Sequence, residues 1–280
     1  MTHKILTYRS VCSGIEAVSV AWHNLPFRPL WFSETDPFPA AVLAHHWPDV
    51  PNHGDMTQLA ARIDTGEIPA PDILAGGTPC QSFSVAGLRQ GLADSRGQLT
   101  LAYVELANEI DKKRRECGEP DCILLWENVP GVLSSRDNAY GGFLGALACE
   151  SDPLQPPGKR WPDAGVVYGA QRAVAWRLLD GQYFGLAQRR KRLFVIAGAR
   201  TGPDPAEILF EFDRVRRDPP PRTKTWQDAA SDAGAGAARR SHWDGCEYPH
   251  PTLSQSFNSG GIGQSAQELF SQRGAGIVMA

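Results

Sequence analysis

From residue 6 to about residue 200 the chain alternates short apolar runs with longer segments of helical period. Leu6 to Val11, Pro29 to Ser33, Asp72 to Ala75, Cys122 to Trp126 and Arg192 to Ala197 read as strands. Ile15 to His23, Pro39 to His46, Leu99 to Lys113 and Ala170 to Leu179 read as helices. Strands alternating with helices predict an α/β fold, with a mostly parallel sheet covered on both faces. In such sheets ligands bind beyond the carboxyl ends of the strands. After about residue 200 the texture changes. Pro219-Pro220-Pro221 is a stiff extended stretch, Ala229 to Ala238 is rich in Ala and Gly, and Ser254 to Gly263 is rich in Ser, Gly and Asn. The pattern therefore predicts a main domain over residues 1–200 and a small loop-rich C-terminal extension over 201–280.

Five polar runs adjoin the predicted strands. The first is Cys12-Ser13-Gly14-Ile15-Glu16-Ala17, a small-residue turn that opens a helix. Such a turn brings backbone amides close to a ligand, but it lacks a full Gly-x-Gly-x-x-Gly, and a tight turn explains it equally. The second is Glu34, at the end of the next strand. An acidic residue there can accept bonds from ribose hydroxyls, or can be a solvated surface carboxylate. Together the two features point to an adenosine-containing cofactor. Asp55-Met56, in a third loop, is a candidate adenine contact or an ordinary turn.

The third run is Gly76-Gly77-Thr78-Pro79-Cys80-Gln81-Ser82-Phe83-Ser84. Its glycines allow close approach, Pro79 stiffens the loop, and polar turn-forming flanks disfavour a buried thiol at Cys80. A thiolate is intrinsically nucleophilic. The fourth is Glu127-Asn128-Val129-Pro130, where a strand-end carboxylate can act as a general acid or be a plain loop residue. The fifth is Gln188-Arg189-Arg190-Lys191-Arg192. Arg190 and Arg192 share one side of an extended segment, which suits phosphate or a charged base, although a basic run is more often a solvated face.

Composition narrows this little. Hydrophobic residues make up 42% and charged residues 21% of 280 residues, as in an ordinary globular protein. No apolar run approaches the roughly 18 residues of a membrane helix, so no membrane contact and a cytoplasmic location are expected. The net charge of −3 does not advertise nucleic-acid binding, so any such contact must come from local basic patches. The six cysteines form no zinc spacing; no metal is expected, and free thiols are.

In this order the five runs resemble the cytosine-C5 DNA methyltransferase family, most specifically through Pro79-Cys80-Gln81, Glu127-Asn128-Val129 and Gln188-x-Arg190-x-Arg192. Asp94-Ser95-Arg96-Gly97 also looks like a family element, and the Cys12-to-Ala17 turn looks like phage-type versions. The resemblance implies a Rossmann-like catalytic domain and S-adenosyl-L-methionine as methyl donor. It implies Cys80, Glu127 and Arg190 as catalytic residues. Cys12, Ser13, Gly14, Ile15, Glu16, Ala17, Glu34, Asp55, Met56, Gly77 and Pro79 would hold the cofactor. Gln81, Ser84, Asn128 and Arg192 would bind the substrate. A loop from Ser82 to Gly97 would close over a flipped cytosine.

Double-stranded DNA is the implied substrate, a cognate restriction endonuclease an implied partner, and a monomer the expected state. Pro251-Thr252-Leu253 resembles the start of a target-recognition region. No closing segment is recognised after it, so the chain reads as a truncated relative, a fragment, or a protein needing a second chain. The alternatives are tRNA cytosine-C5 methylation and a non-catalytic DNA- or partner-binding relative. A nicotinamide dehydrogenase ranks last, since it gives Cys80, Glu127 and Arg190 no joint role.

Overall fold

The structure is a computed structural model, and it describes residues 5–79, 97–135, 137–185 and 188–210. Among the described residues, seven strands form one sheet in the order β2-β1-β3-β4-β7-β6-β5. They are β1 (Leu6–Val11), β2 (Phe27–Ser33), β3 (Ile73–Gly76), β4 (Ile123–Asn128), β5 (Ala164–Tyr168), β6 (Arg172–Asp180) and β7 (Lys191–Ala199). The helices are α1 (Ala17–Ala21), α2 (Pro37–His46), α3 (Leu59–Asp64), α4 (Gly97–Glu116), α5 (Ala139–Ala148) and α6 (Pro205–Phe210).

β2, β1, β3 and β4 pair in parallel, whereas β4–β7, β7–β6 and β6–β5 pair antiparallel. The α/β fold expected from the alternation is present, and its parallel half carries the first four strand-end runs. One element differs. The segment Ala170 to Leu179, expected as a helix, is strand β6. β6 lies between β5 and β7 and is buried along most of its length. Burial on both faces removes the two-residue alternation that marks a half-buried strand, and its Ala- and Leu-rich sequence then imitates a helix.

The main core lies under α3, α4 and α5. It joins Val11, Trp31, Leu74, Trp126, Val195 and Trp176 to Ile63, Leu106, Ile110, Phe143 and Leu144. Tyr103 of α4 is fully buried, and its hydroxyl donates to the carbonyls of Leu74 and Leu125, each at 3.2 Å, tying the helix to β3 and β4. The last described element, α6, packs on β6 and β7 just past the expected boundary at residue 200.

Two buried ion pairs cross-link the layers. Arg172 of β6 donates through Nε and Nη2 to Asp111 Oδ2 at 3.0 and 2.6 Å, while Asp111 Oδ1 accepts the Cys122 amide at 2.7 Å. That cluster joins α4 to the entry of β4 and to β6. Across the sheet, Asp72 Oδ2 accepts the Thr7 amide and Asp72 Oδ1 accepts Arg114 Nη2, both at 2.8 Å. Arg9 contrasts with both. It is fully buried in β1 with its guanidinium 4.7 Å over the Trp31 ring, and no acceptor among the described residues meets its nitrogens. Burial pulls its pKa down to about 9.

These arrangements predict opposite outcomes for two substitutions. Asp111→Ala strands a buried guanidinium and should cost about 3–5 kcal/mol. Arg9→Met removes a desolvated charge that has no hydrogen-bond acceptor among the described residues and should be neutral or stabilising by about 1–3 kcal/mol. Urea unfolding of both variants beside the parent checks the pair, and a large loss from Arg9→Met would refute the account of β1.

Candidate active site at the carboxyl edge of the sheet

β1, β2, β3 and β4 run in parallel, so their carboxyl ends share one edge. Val11 pairs in register with Ser33 and with Gly76, and Gly76 with Trp126. The antiparallel β7 begins at that same edge, because Leu193 pairs with Asn128.

One corner is built from the ends of β1 and β2. Cys12 and Gly14 take left-handed backbone angles, with φ of 49° and 54°. The Gly14 amide donates to Glu34 Oε2 at 2.8 Å, and the Asp36 amide donates to Glu34 Oε1 at 2.8 Å. Asn52 holds Glu34 from the other side. Its Oδ1 accepts the Glu34 amide and its Nδ2 donates to the Glu34 carbonyl, both at 2.9 Å. A side-chain amide thus pairs with the backbone as a neighbouring strand would. Asn52 escapes a reading of the sequence, and only its setting in Pro51-Asn52-His53-Gly54 hints at a turn role.

The predicted members of this corner divide into two groups. Glu34 and Gly14 frame it, and Asp55 and Met56 lie beside it, with Cys12 Sγ 3.6 Å from Met56 Sδ. Ile15 is exposed. Ser13 spends its hydroxyl locally, donating to the Ser10 carbonyl at 3.0 Å and accepting the Ser33 amide at 3.1 Å. Glu16 turns inward. It is fully buried at a left-handed φ of 64°, and its carboxylate accepts the Ser10 hydroxyl, the Ser19 amide and the Ser19 hydroxyl. Burial pushes the Glu16 carboxyl above the usual range, against those hydrogen bonds. Cys12 is pushed up to about 11, first by burial and then by the charges of Glu34 and Asp55, which keeps it a thiol.

The second corner joins β3, β4 and β7. A Cβ on Gly76 would lie 2.6 Å from Val11 Cγ2, and one on Gly77 would lie 3.0 Å from the Glu127 carbonyl and 3.3 Å from Glu127 Oε2. Thr78 is the hub of this corner. Its carbonyl accepts Asn128 Nδ2 at 2.9 Å, and its hydroxyl meets Trp126 Nε1 at 3.1 Å and the Thr100 hydroxyl of α4 at 3.0 Å. Pro79 follows, exposed at the edge. Glu127 forms an ion pair with Arg192, from Nε to Oε1 at 2.8 Å, with both side chains partly exposed. Arg190, by contrast, is exposed, and its amide donates to Asp180 Oδ1 at 3.1 Å. Of the two arginines expected on one side, the structure brings Arg192 to Glu127. Asn128 is 5% exposed and committed to Thr78. Cys80, Gln81, Ser84 and nearly all of the Ser82-to-Gly97 loop lie outside the described residues, as do Asp94-Ser95-Arg96 and Pro251-Thr252-Leu253.

A model of the C-5 cytosine-specific DNA methylase family matches residues 6–148, which contain the Gly77–Pro79 exit and Glu127. The chain belongs to this family. Over 256 residues it is 56% identical to a protein of Escherichia phage P1 called "DNA N-6-adenine-methyltransferase", covering 84% of this chain and 34% of that protein. The type II methyltransferase M.AquIA of Picosynechococcus sp. is 32% identical over 202 residues, covering 69% of this chain and 71% of the relative. The S. pombe Dnmt2 methyltransferase structure shares the fold, with a TM-score of 0.52 at 18% identity, covering 75% of this chain and 56% of that one. The chain therefore spans about a third of the phage relative's length.

Membership and fold imply S-adenosyl-L-methionine as cofactor, and the first corner fits it. Open space lies over Gly14, where a Cβ would meet nothing within 4 Å. Glu34 and Asp55 make that space acidic, which suits a cofactor with a sulfonium, an ammonium and ribose hydroxyls. Among the described residues no cluster of three or more His, Cys, Asp or Glu side chains could hold a metal, and no helix is long and apolar enough to cross a membrane.

Glu16 yields a pH prediction. Its raised pKa means the protonated form is favoured when folded, so stability present below its unfolded value near 4.5 is lost as pH climbs toward the folded value. Glu16→Gln removes that loss. Urea midpoints measured from pH 4 to pH 8 should show the variant gaining on the parent as pH rises, and a constant gap would refute the burial argument.

Proposed function

We propose that this chain supplies the catalytic machinery for transferring a methyl group from S-adenosyl-L-methionine to C5 of a flipped-out cytosine in DNA, through a covalent adduct on Cys80. The observation that carries this reading is the clamp on Thr78. Asn128 bonds the Thr78 carbonyl, Trp126 bonds the Thr78 hydroxyl, and a Cβ on Gly77 would crowd Glu127, so the backbone two positions before Cys80 in the sequence is fixed next to a carboxylate.

In this reading the Cys80 thiolate adds to C6 of the ring. Glu127 bonds and protonates N3, so the ring accepts the electron pair and C5 becomes nucleophilic. The bound cofactor supplies an electrophilic methyl group. A base then removes the C5 proton, and the C6–S bond breaks to return the thiolate. Arg192 holds Glu127 in place, and Arg190 with Arg189 and Lys191 offers exposed positive charge to the DNA backbone. Glu34 accepts the ribose hydroxyls, and the Cys12-to-Ile15 part of the turn and Asp55 line the rest of the cofactor. We assign the chemistry to residues 1–200 and target recognition to 201–280. Protection of DNA in a restriction-modification or phage setting fits such an activity.

A second reading, N6-adenine methylation, is favoured by the name of the phage P1 relative. That name describes a protein of which this chain matches about a third, and exocyclic amine methylation needs no cysteine nucleophile such as the one the Pro79-Cys80-Gln81 run offers. The products separate the readings. Duplex DNA treated with the full chain and labelled cofactor, then digested to nucleosides, should yield 5-methyldeoxycytidine. Cys80→Ser should lower the rate at least about a thousandfold. A duplex carrying 5-fluorocytosine should trap the protein covalently, since fluorine cannot leave as a cation. N6-methyldeoxyadenosine as the product, or an active Cys80→Ser variant, would sink the proposal. Transfer to tRNA with none to DNA would move it to the RNA branch of the family.

Cofactor binding has its own test. Glu34→Ala removes charged acceptors and should weaken S-adenosyl-L-methionine about 10- to 100-fold by calorimetry. Unchanged affinity would remove Glu34 from the cofactor site.

A further inference from the structure

We propose that Asp180, at the neck of the loop between β6 and β7, is a positioning residue that sets Arg192 against Glu127. The proposal rests on the role given to Glu127 above. Asp180 ends β6 and is 7% exposed. Its Oδ1 accepts the Gln182 amide at 3.3 Å and the Arg190 amide at 3.1 Å, and its Oδ2 accepts Gln182 Nε2 at 2.7 Å. The bonds to Gln182 are those of an aspartate capping the short 3₁₀ turn Gly181–Phe184. The bond to Arg190 is not. It reaches an amide ten positions along the chain and closes the loop at its base. The Gly181 amide adds a second tie, donating to the Arg190 carbonyl at 3.0 Å.

The register shows why this neck matters for the site. β4 contributes its last partner to β7 at Leu193, opposite Asn128. Arg192 lies one residue beyond that ladder and pairs only with Leu179 of β6. No backbone bond from β4 fixes the residue whose side chain must meet Glu127 on β4. The start of β7 is held from the β6 side by the backbone pairs Leu179–Arg192 and Asp180–Lys191, and the Asp180 carboxylate is the side chain that adds to them through the Arg190 amide. Arg190 is exposed, so its amide can turn to water when the carboxylate is removed. Losing Asp180 should therefore fray the beginning of the strand and leave the sheet folded. Arg192 would then lose its fixed distance to Glu127, and displacements of about 1 Å near reacting groups can cost about a hundredfold in rate.

The test reads Arg192 directly. In the free full-length protein, the Arg192 Nε–Hε proton bonded to Glu127 should give a distinct, slowly exchanging signal in a proton–nitrogen spectrum, assigned by its loss in Arg192→Lys. Asp180→Ala should broaden or abolish that signal. Asp180→Asn, which keeps an oxygen acceptor at Oδ1, should retain it. Gln182→Ala, which spares the Arg190 bond, should also retain it. If Asp180→Ala does not fold, Asp180→Ser replaces it, since serine still caps the 3₁₀ turn but its hydroxyl stops one bond short of the Arg190 amide. In methyl transfer, Asp180→Ala should lower kcat about tenfold or more with KM for the cofactor changed by less than about twofold, and Asp180→Asn should stay within about threefold of the parent. An Arg192 signal unchanged in Asp180→Ala, or an Asp180→Asn variant as impaired as Asp180→Ala, overturns the proposal. If the parent transfers no methyl group, the role of Glu127 fails instead, and the Arg192 signal still decides for or against Asp180.

Discussion

No side chain fits where β3 leaves the sheet. Gly76 passes against Val11 of β1, and Gly77 against the backbone and carboxylate of Glu127 on β4. This steric constraint brings three strand ends together closely enough for Thr78 to bond to Trp126, Asn128 and Thr100. A loop that leaves a strand is normally its least fixed part. Here the exit is clamped by the neighbouring strand and by the first turn of α4, so the residues that follow start from a fixed origin.

The rest of the sheet serves this edge from a distance. Asp111 and Arg172 tie α4 to β6, and Asp72 and Arg114 tie α4 to the entry of β3. Both pairs share one helix, so α4 links the parallel and antiparallel halves of the sheet. The site lies where those halves meet: Glu127 comes from the last parallel strand, and Arg192 from the first antiparallel one.

Much of this was readable in the sequence, and the rest was hidden for definite reasons. The apolar runs of β1, β3, β4 and β7 stood out because buried strands need them. β6 imitated a helix because burial on both faces erases alternation. β5, only five residues with two exposed ends, offered little to read. α5 escaped notice because Ala-Tyr-Gly-Gly-Phe-Leu-Gly contains three poor helix formers. In the site, Glu34 and Glu127 were readable as carboxylates at strand ends. Asn52, Thr78 and Asp180 were not, since their importance comes from bonds to groups far along the chain. Glu16 and Asn128 belonged to the recognisable runs, yet the fold turns both inward. Side-chain alternation placed Arg190 and Arg192 on one side, and only the register of β7 against β4 could tell which of them reaches Glu127.

The pairing of β4 with β7 also governs when the site can exist. Glu127 emerges from the ribosome well before Arg192, with α5 and the β5–β6 hairpin still to be made. Until β7 is synthesised and inserts between β4 and β6, β4 is an open edge and Glu127 is without its ion pair to Arg192. Contacts between segments so distant in sequence form slowly, because a long loop must close first. The growing chain therefore carries the separate parts of the edge for most of its synthesis without their combination. That combination arrives with a single late insertion, in which β7 joins the two halves of the described sheet and brings Arg192 to Glu127.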